Sequence, residues 1–292
     1  MQSSASFSHR RHADLTPIRI LSTLVLLLVP WQHTYAAEEK LVALAPFVQP
    51  VAHVYPGVNS AFLGIELGMP YEAARTKLAE LDHAKEGKVD REDNGALSIE
   101  HQGAIITSKP YPAWLRYLGS TRDSTAPSRS LTLWFGTPAT GSTVTGINRI
   151  IQYPTGTGPD PAKAAQDLVQ LFGPPSAASR IQLDRSEWRD TISWEFGTSG
   201  SWMFKVSGLR TCSSGNCQPA APVLLTSDRR LSSLEKQVDG GSQVLVTAII
   251  TSDPSDPART LFVAVSMEDV LNEVLTLREA RKQLEAAAAG QR

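Results

Sequence analysis

The sequence is poor in cysteine and has little net charge. Its 292 residues include only two cysteines, Cys212 and Cys217, and 28 basic residues against 29 acidic ones. Two thiolates need two further ligands to hold zinc, and neither a second cysteine pair nor a nearby histidine accompanies them. A near-neutral chain also lacks the broad cationic surface that attracts phosphates, so nucleic acid is not an expected partner.

No apolar run is long enough to cross a bilayer as a helix. The run over residues 20–31 follows three arginines, whereas a spanning helix needs about 20 apolar residues. A basic start, a short apolar run and the small residues Thr34 and Ala36 are typical of a signal peptide. We therefore expect residues 1–36 to be cleaved after Ala36, leaving a periplasmic or secreted chain with no stable membrane span. An uncleaved anchor is the alternative.

The oxidation state that we expect for the two cysteines depends on whether the chain is exported. Cys212 and Cys217 lie in RTCSSGNCQP, and a close pair flanked by turn-forming residues in an oxidising compartment predicts a disulfide bond. Because the closed loop is so short, the bond stabilises the fold by about 2 kcal/mol at most. Redox chemistry at the pair is the alternative.

Three helices are predicted from local signals. Pro70 can begin the first, because a proline in the first turn loses no hydrogen bond. Asp160 can cap the second, which Gly173 ends. The third follows Ser266, with Asp269 at capping-box spacing, and becomes charged and alanine-rich beyond Arg278, where we expect it to project or fray.

The remaining segments predict strands and turns. An extended arm is expected over residues 37–59, which contain three prolines, and a solvated turn over the charged residues 85–95. The β-rich segments cover residues 96–101, 103–108, 130–136, 143–153, 191–207, 243–250 and 260–266.

This order of elements predicts an α+β fold. We expect a mainly antiparallel sheet with packed helices, in which a helix-plus-meander unit occurs twice, over residues 60–158 and 159–266. A C-terminal helix over residues 267–292 completes the chain. Whether the two units form one domain or two is open at this level.

One predicted hairpin is strongly aromatic on one face. Trp194 and Trp202 lie on its two strands within residues 191–207. A packed core is the favoured interpretation of such a face. An exposed binding surface formed by Trp194 and Trp202 is the alternative.

LGMPYEAARTKL, at residues 67–78, resembles the signature of the SmpA/OmlA family, which includes the BamE lipoprotein of the outer-membrane barrel assembly machinery. LVQLFGPPS, at residues 168–176, and SWEFG, at residues 193–197, are similar to that family's helix exit and following strand. The β-lactamase-inhibitor-like fold uses tandem units of the same kind. The resemblance implies a non-enzymatic protein that binds proteins or envelope components. Neither a lipid-acceptor cysteine after the leader nor a Gly-Met before Asp160 is present.

The sequence offers no recognisable catalytic constellation. His53, His83 and His101 are isolated from other ligand-type residues, and Ser233 and Lys236 share the Ser-x-x-Lys spacing of penicillin-recognising enzymes without the accompanying motifs. We therefore expect no catalytic residue, no cofactor and no metal site. The leading hypothesis is an exported protein that acts by binding, as an envelope scaffold or an inhibitor-like module. The alternative is a periplasmic hydrolase whose site assembles only in the fold.

Overall fold

The computed structural model describes residues 40–52, 62–83, 87–119, 125–184, 186–197 and 228–290. Cys212, Cys217, Trp202 and His53 lie outside these residues, as does the predicted leader. In chain order, the elements are β1 (Lys40–Val42), α1 (Tyr71–His83), β2 (Gly87–Gly95), β3 (Ser98–His101), β4 (Ala104–Ser108), β5 (Tyr111–Gly119), β6 (Ser128–Phe135), a 3-10 turn (Pro138–Thr140), β7 (Val144–Gln152), α2 (Pro161–Phe172), β8 (Ala177–Gln182), β9 (Trp188–Gly197), α3 (Asp228–Asp239), β10 (Ser242–Ser252), β11 (Thr260–Asp269) and α4 (Val270–Ala289).

Eight strands form one open antiparallel sheet. Their order is β2-β5-β6-β7-β11-β10-β9-β8, so two four-stranded halves meet at the pair formed by β7 and β11. Each half follows a helix in the chain, α1 for the first and α2 for the second. A second, three-stranded sheet has the order β1-β4-β3, with β1 parallel to β4. The predicted α+β class with antiparallel sheets and a C-terminal helix is confirmed.

The two repeat helices form where the local signals predict them. Pro70 directly precedes α1, and its carbonyl accepts from Ala74 N–H at 3.0 Å. The carboxylate of Asp160 accepts from the N–H groups of Ala162 and Lys163 at 2.7 and 3.2 Å, which satisfies two free donors of α2. Gly173 ends α2 in a positive-φ conformation that favours glycine.

The prediction of a solvated turn over residues 85–95 is wrong, because most of this segment is strand β2. Its charged side chains find partners on neighbouring elements, so strand pairing does not bury unpaired charge. Asp90 accepts from Arg116 on β5, and Glu92 accepts from the hydroxyl of Tyr71 on α1. Because β2 lies at the edge of the sheet, the side of the strand that does not pair with β5 is open to solvent.

The C-terminal helix differs from the prediction at both ends. Strand β11 continues through Asp269, so the predicted helical span of 267–292 begins three residues too early. Asp269 is itself the N-cap, accepting from Asn272 N–H at 2.9 Å. The prediction that the helix projects or frays beyond Arg278 is also wrong, because Ala280 and Leu284 are fully buried.

Two apolar cores lie on opposite faces of the main sheet. Helices α1 and α2 cover one face through side chains that include Leu78 and Phe172, which pack with Leu131 and Trp194. On the other face, α3, α4 and the small sheet form a second core, against which Leu245 of β10 packs. The face that carries Leu245 is therefore covered by helices at one end.

The described part of the predicted arm, residues 40–52, packs on the domain. After β1, the chain is fixed to α4 by two side-chain amides, and the N–H groups of Phe47 and Val48 donate to the carbonyl of Ala139 at 3.0 and 3.2 Å. None of the described helices is long and apolar enough to cross a bilayer.

Candidate functional site

Five small polar side chains form a continuous row across the middle of the main sheet. Strand pairing places Thr132 opposite Asn148, Asn148 opposite Ser266, Ser266 opposite Thr247, and Thr247 opposite Ser193. The row thus takes one residue from each of five adjacent strands, β6, β7, β11, β10 and β9. We call these five residues the polar row.

The polar row lies on the face away from α1 and α2. Successive strand residues point to opposite faces, and the immediate neighbours Leu131, Ile147 and Met267 belong to the core beneath those two helices. The row must therefore face the side that α3 and α4 cover at one end. It lies next to that covered end, since Leu245 is two residues from Thr247 on the same strand.

Three members of the polar row are buried. Asn148, Ser193 and Thr132 are 3%, 5% and 8% exposed, while Thr247 and Ser266 are half-buried. No member of the row is among the described residues that hold a buried side-chain atom without a hydrogen-bond partner.

A tryptophan pair flanks the polar row. Trp114 on β5 and Trp134 on β6 are opposite each other, two residues before Arg116 and two after Thr132, so they share the row's face. Beyond Trp134 comes Gly146, where a Cβ atom would lie 3.0 Å from Cε3 of the indole. The absence of a side chain at Gly146 lets the half-buried indole lie against the backbone of β7.

The charged residues beside the polar row are already paired. Arg116 continues the row onto β5, and its Nε donates to Asp90 Oδ2 at 2.9 Å. Glu195, two residues after Ser193, accepts from the hydroxyl of Ser242. Glu268, two residues after Ser266, lies on the same face, so charged as well as neutral side chains border the row.

Trp194 lies in the core, as the favoured interpretation of the aromatic hairpin expects. Its side chain is fully buried, its Nε1 donates to the carbonyl of Gly173 at 2.8 Å, and its ring centroid is 5.2 Å from that of Phe172. This indole ties β9 to the end of α2, so it is inaccessible to a partner. Trp202, the other member of the predicted binding surface, lies outside the described residues.

The candidate catalytic residues are not brought together where the structure describes them. His101 is half-buried in the tight β3–β4 hairpin, where Gln102 and Gly103 both have positive φ. Ser233 and Lys236 lie on the exposed side of α3. Within the described ranges, no group of three or more histidine, cysteine, aspartate or glutamate residues is placed to hold a metal ion. The predicted disulfide stays a prediction, because both cysteines fall outside those ranges.

Comparisons with protein-family models, with curated proteins and with solved structures find no match for this chain. The resemblance to the SmpA/OmlA family and to the β-lactamase-inhibitor-like fold therefore stays a prediction.

Sequence reasoning missed the polar row, although part of the signal is visible. Thr132 and Ser266 each lie between two apolar residues of their strand, and Asn148 follows the apolar Ile147. Their common position becomes apparent only when the register aligns them.

Proposed function

We propose that this chain is an exported, non-enzymatic protein that acts by binding, as an envelope scaffold or an inhibitor-like module. The leader-like residues 1–36 support export. The binding surface we propose is the face that carries the polar row, at the point where it borders α3 and α4.

A single observation carries the proposal of a binding surface: five small polar side chains align on one face of five adjacent strands. Trp134 lies beside them on the same face and is half-buried. Hydrogen-bonding groups placed next to an aromatic side chain are typical of a surface that recognises a partner.

Capture from the envelope tests this function. The chain from Ala37 onward is immobilised and exposed to separate protein, lipid and glycan fractions of the envelope of the cell that makes it. Three forms are compared: the unchanged chain, Asn148→Leu in the polar row and Gln152→Leu as a matched control. Gln152 lies on the same strand and the same face, four residues from Asn148, and is exposed.

The unchanged chain and Gln152→Leu should retain the same component. Asn148→Leu should retain about tenfold less, because it removes an amide that makes hydrogen bonds in a desolvated site. Equal retention by all three forms would reject the polar row as the binding surface. Sequencing of the exported protein from its N-terminus should begin at Ala37, and recovery of the chain only in the cytoplasm would reject export.

A further inference from the structure

We propose that the exposed edge of β8 pairs with the same edge of a second copy of this chain, which joins two main sheets into one. The two β8 strands run antiparallel and are related by a twofold axis perpendicular to the sheet. This inference concerns a surface other than the polar row, and it goes beyond the proposed function without resting on it.

The outer side of β8 is open. Strand β8 ends the main sheet and pairs with one neighbour, β9, among the described strands, and its residues 178–182 are all exposed. Where the same ladder continues past β8, Leu183 N–H donates to the Glu187 carbonyl at 2.9 Å. Inward and outward residues alternate along an antiparallel ladder. The N–H and C=O groups of Ala178 and Arg180 therefore point away from β9.

The opposite edge of the same sheet is protected against pairing, and β8 is not. The register of β2 against β5 shifts twice. The strand carries five charged residues, Lys88, Asp90, Arg91, Glu92 and Asp93. Irregular pairing and edge charges are means by which proteins prevent contact between sheet edges. Strand β8 contains neither proline nor lysine, and its pairing with β9 has no register shift.

The one charge on β8 is neutralised within the chain. Arg180 donates through Nε and Nη2 to the two carboxylate oxygens of Asp190 on β9, at 2.6 and 2.7 Å. Two β8 edges can therefore approach each other without a net repulsion between them.

The twofold axis restricts the register. Both copies keep the same face on the same side of the joined sheet, so one residue of β8 must lie opposite its own copy. With Ser179 at the axis, Ala178 lies opposite Arg180 of the second copy, and both have outward backbone groups. With Arg180 at the axis, two guanidinium groups would lie opposite each other, which is unfavourable. The pairing that we propose is therefore centred on Ser179.

This register also gives an exposed apolar side chain a partner. Ile181 is 49% exposed, and the register places it opposite Ala177 of the second copy, on the same face. A large side chain thus lies beside a small one on both sides of the axis. Pairing removes apolar surface of Ile181 from water, which stabilises the contact.

The geometry closes at two copies. A twofold contact uses the same edge of both chains, so no β8 edge remains for a third copy. The outer edges of the joined sheet are then the two β2 strands, with their charges and register shifts. Pro174 and Pro175, just before β8, lack N–H groups and limit the length of the ladder.

Sedimentation velocity of the chain as the cell produces it tests self-association. A contact of one short strand belongs to the weak end of protein interfaces, below about 1,200 Å², so concentrations from about 1 µM to 0.5 mM are needed. The weight-average mass should rise towards that of two copies, and exchange of the Ala178 and Arg180 amide hydrogens should slow over the same range. A chain that stays monomeric throughout would overturn the proposal.

A proline substitution tests the edge. Ala178→Pro removes an N–H that points away from β9, a position where an edge strand tolerates proline. Its circular dichroism and urea midpoint should match those of the unchanged chain, while the dissociation constant of the dimer should rise at least about tenfold. Self-association that persists undiminished in Ala178→Pro would overturn the assignment of β8 as the interface.

Two charge variants test the register. Ser179→Lys and Ser179→Glu each place like charges opposite each other at the axis, so each alone should remain monomeric. An equal mixture of the two should associate again, because lysine then lies opposite glutamate. Gln152→Lys is the matched control, since it adds the same charge at an exposed position on an interior strand and should dimerise normally. A mixture that does not associate would overturn the register centred on Ser179.

The outcome is separable from that of the proposed function. Asn148→Leu changes the polar row and not β8, so it should dimerise like the unchanged chain even where it loses envelope capture. A chain that stays monomeric, but loses capture of an envelope protein in Ala178→Pro, would show that the β8 edge pairs with a different chain and that the second copy is the wrong partner.

Discussion

The side-chain amide of Asn272 holds the backbone of Val51 by two hydrogen bonds. Val51 N–H donates to Asn272 Oδ1 at 2.7 Å, and Asn272 Nδ2 donates to the Val51 carbonyl at 2.8 Å. Gln283 repeats the arrangement with Ala45, at 2.8 and 2.9 Å. Two side-chain amides of α4 thus bond the backbone N–H and C=O groups of the arm that a neighbouring strand would otherwise pair. The prolines of this segment prevent a regular ladder of strand hydrogen bonds.

Substitution of Asn272 should release the arm. Asn272→Ala removes both hydrogen bonds to Val51 and should lower the free energy of unfolding by about 2 kcal/mol. Gln283→Ala, at a more exposed position, should cost about 0.5–1 kcal/mol. Urea denaturation measures both values, and limited proteolysis should cleave the arm sooner in Asn272→Ala. If the two variants were equally stable and equally resistant, the anchoring role of Asn272 would be refuted.

Substitution of Trp194 should destabilise the core without affecting surface binding. Trp194→Phe leaves a cavity and an unpaired Gly173 carbonyl, so we expect a loss of about 2–3 kcal/mol in the free energy of unfolding. Trp188→Phe is the matched control on the same strand, because Trp188 is exposed and should change stability by less than about 0.5 kcal/mol. Guanidinium denaturation distinguishes the two. Comparable midpoints would show that the buried indole is dispensable.

A buried hydroxyl cluster joins α4 to the 3-10 turn. Thr276 Oγ1 accepts from Thr137 N–H at 2.8 Å and from the hydroxyl of Thr140 at 2.9 Å. Thr276→Val leaves the Thr137 N–H buried and unpaired and should cost about 2 kcal/mol. In the absence of ligand, Thr247→Val should leave thermal stability unchanged or raise it, since the Thr247 hydroxyl has no partner in the described chain. A large loss of stability in Thr247→Val would show that the polar row has a structural role.

The pair formed by Tyr71 and Glu92 predicts a pH dependence of stability. Burial, followed by the hydrogen bond that Tyr71 donates to Glu92, raises the pKa of the Tyr71 phenol from 10.0 to about 12. Because the folded state holds this proton more tightly than the unfolded state, the contribution of Tyr71 is fully present below pH 10 and lost as pH rises towards 12.

Urea midpoints measured between pH 8 and pH 12 test this sign, with spectrophotometric titration of tyrosine as an independent measurement. Tyr71→Phe should be less stable than the unchanged chain near neutrality, where the hydrogen bond to Glu92 is intact, and should fall less steeply as pH rises. A steeper decline in Tyr71→Phe would contradict the assigned pKa direction.

Elements with strong local signals could be predicted from the sequence, and elements fixed by distant partners could not. Helix α2 carries its cap, its first-turn proline and its terminating glycine within one short segment. Strand β2 depends on Arg116 and Tyr71, which only the fold brings to its charged side chains. Strand β5 contains Pro112, which argues against an interior strand, but this residue lies at a register shift in the pairing with β2.

The polar row could not be predicted from the sequence, because it depends on the pairing of strands that are distant in the chain. Alternation within β6 predicts that Thr132 shares a face with Ser128 and Ser130, and it leaves open which strands are adjacent. The order of strands, with β11 between β7 and β10, places Ser266 between Asn148 and Thr247. The sequence also does not predict that α4 covers one end of this face, because the alanine-rich second half of the helix resembles a solvated segment.

The pairing of β7 with β11 constrains how the chain can fold during its synthesis. Strand β7 has β6 on one side and can complete its other side only with a strand that comes more than a hundred positions later. A polypeptide emerging from a ribosome or a translocation channel would expose the unpaired edge of β7 until β11 also emerges. Assembly of this molecule therefore favours a holding chaperone, or rapid delivery of the last strand, over folding in step with synthesis.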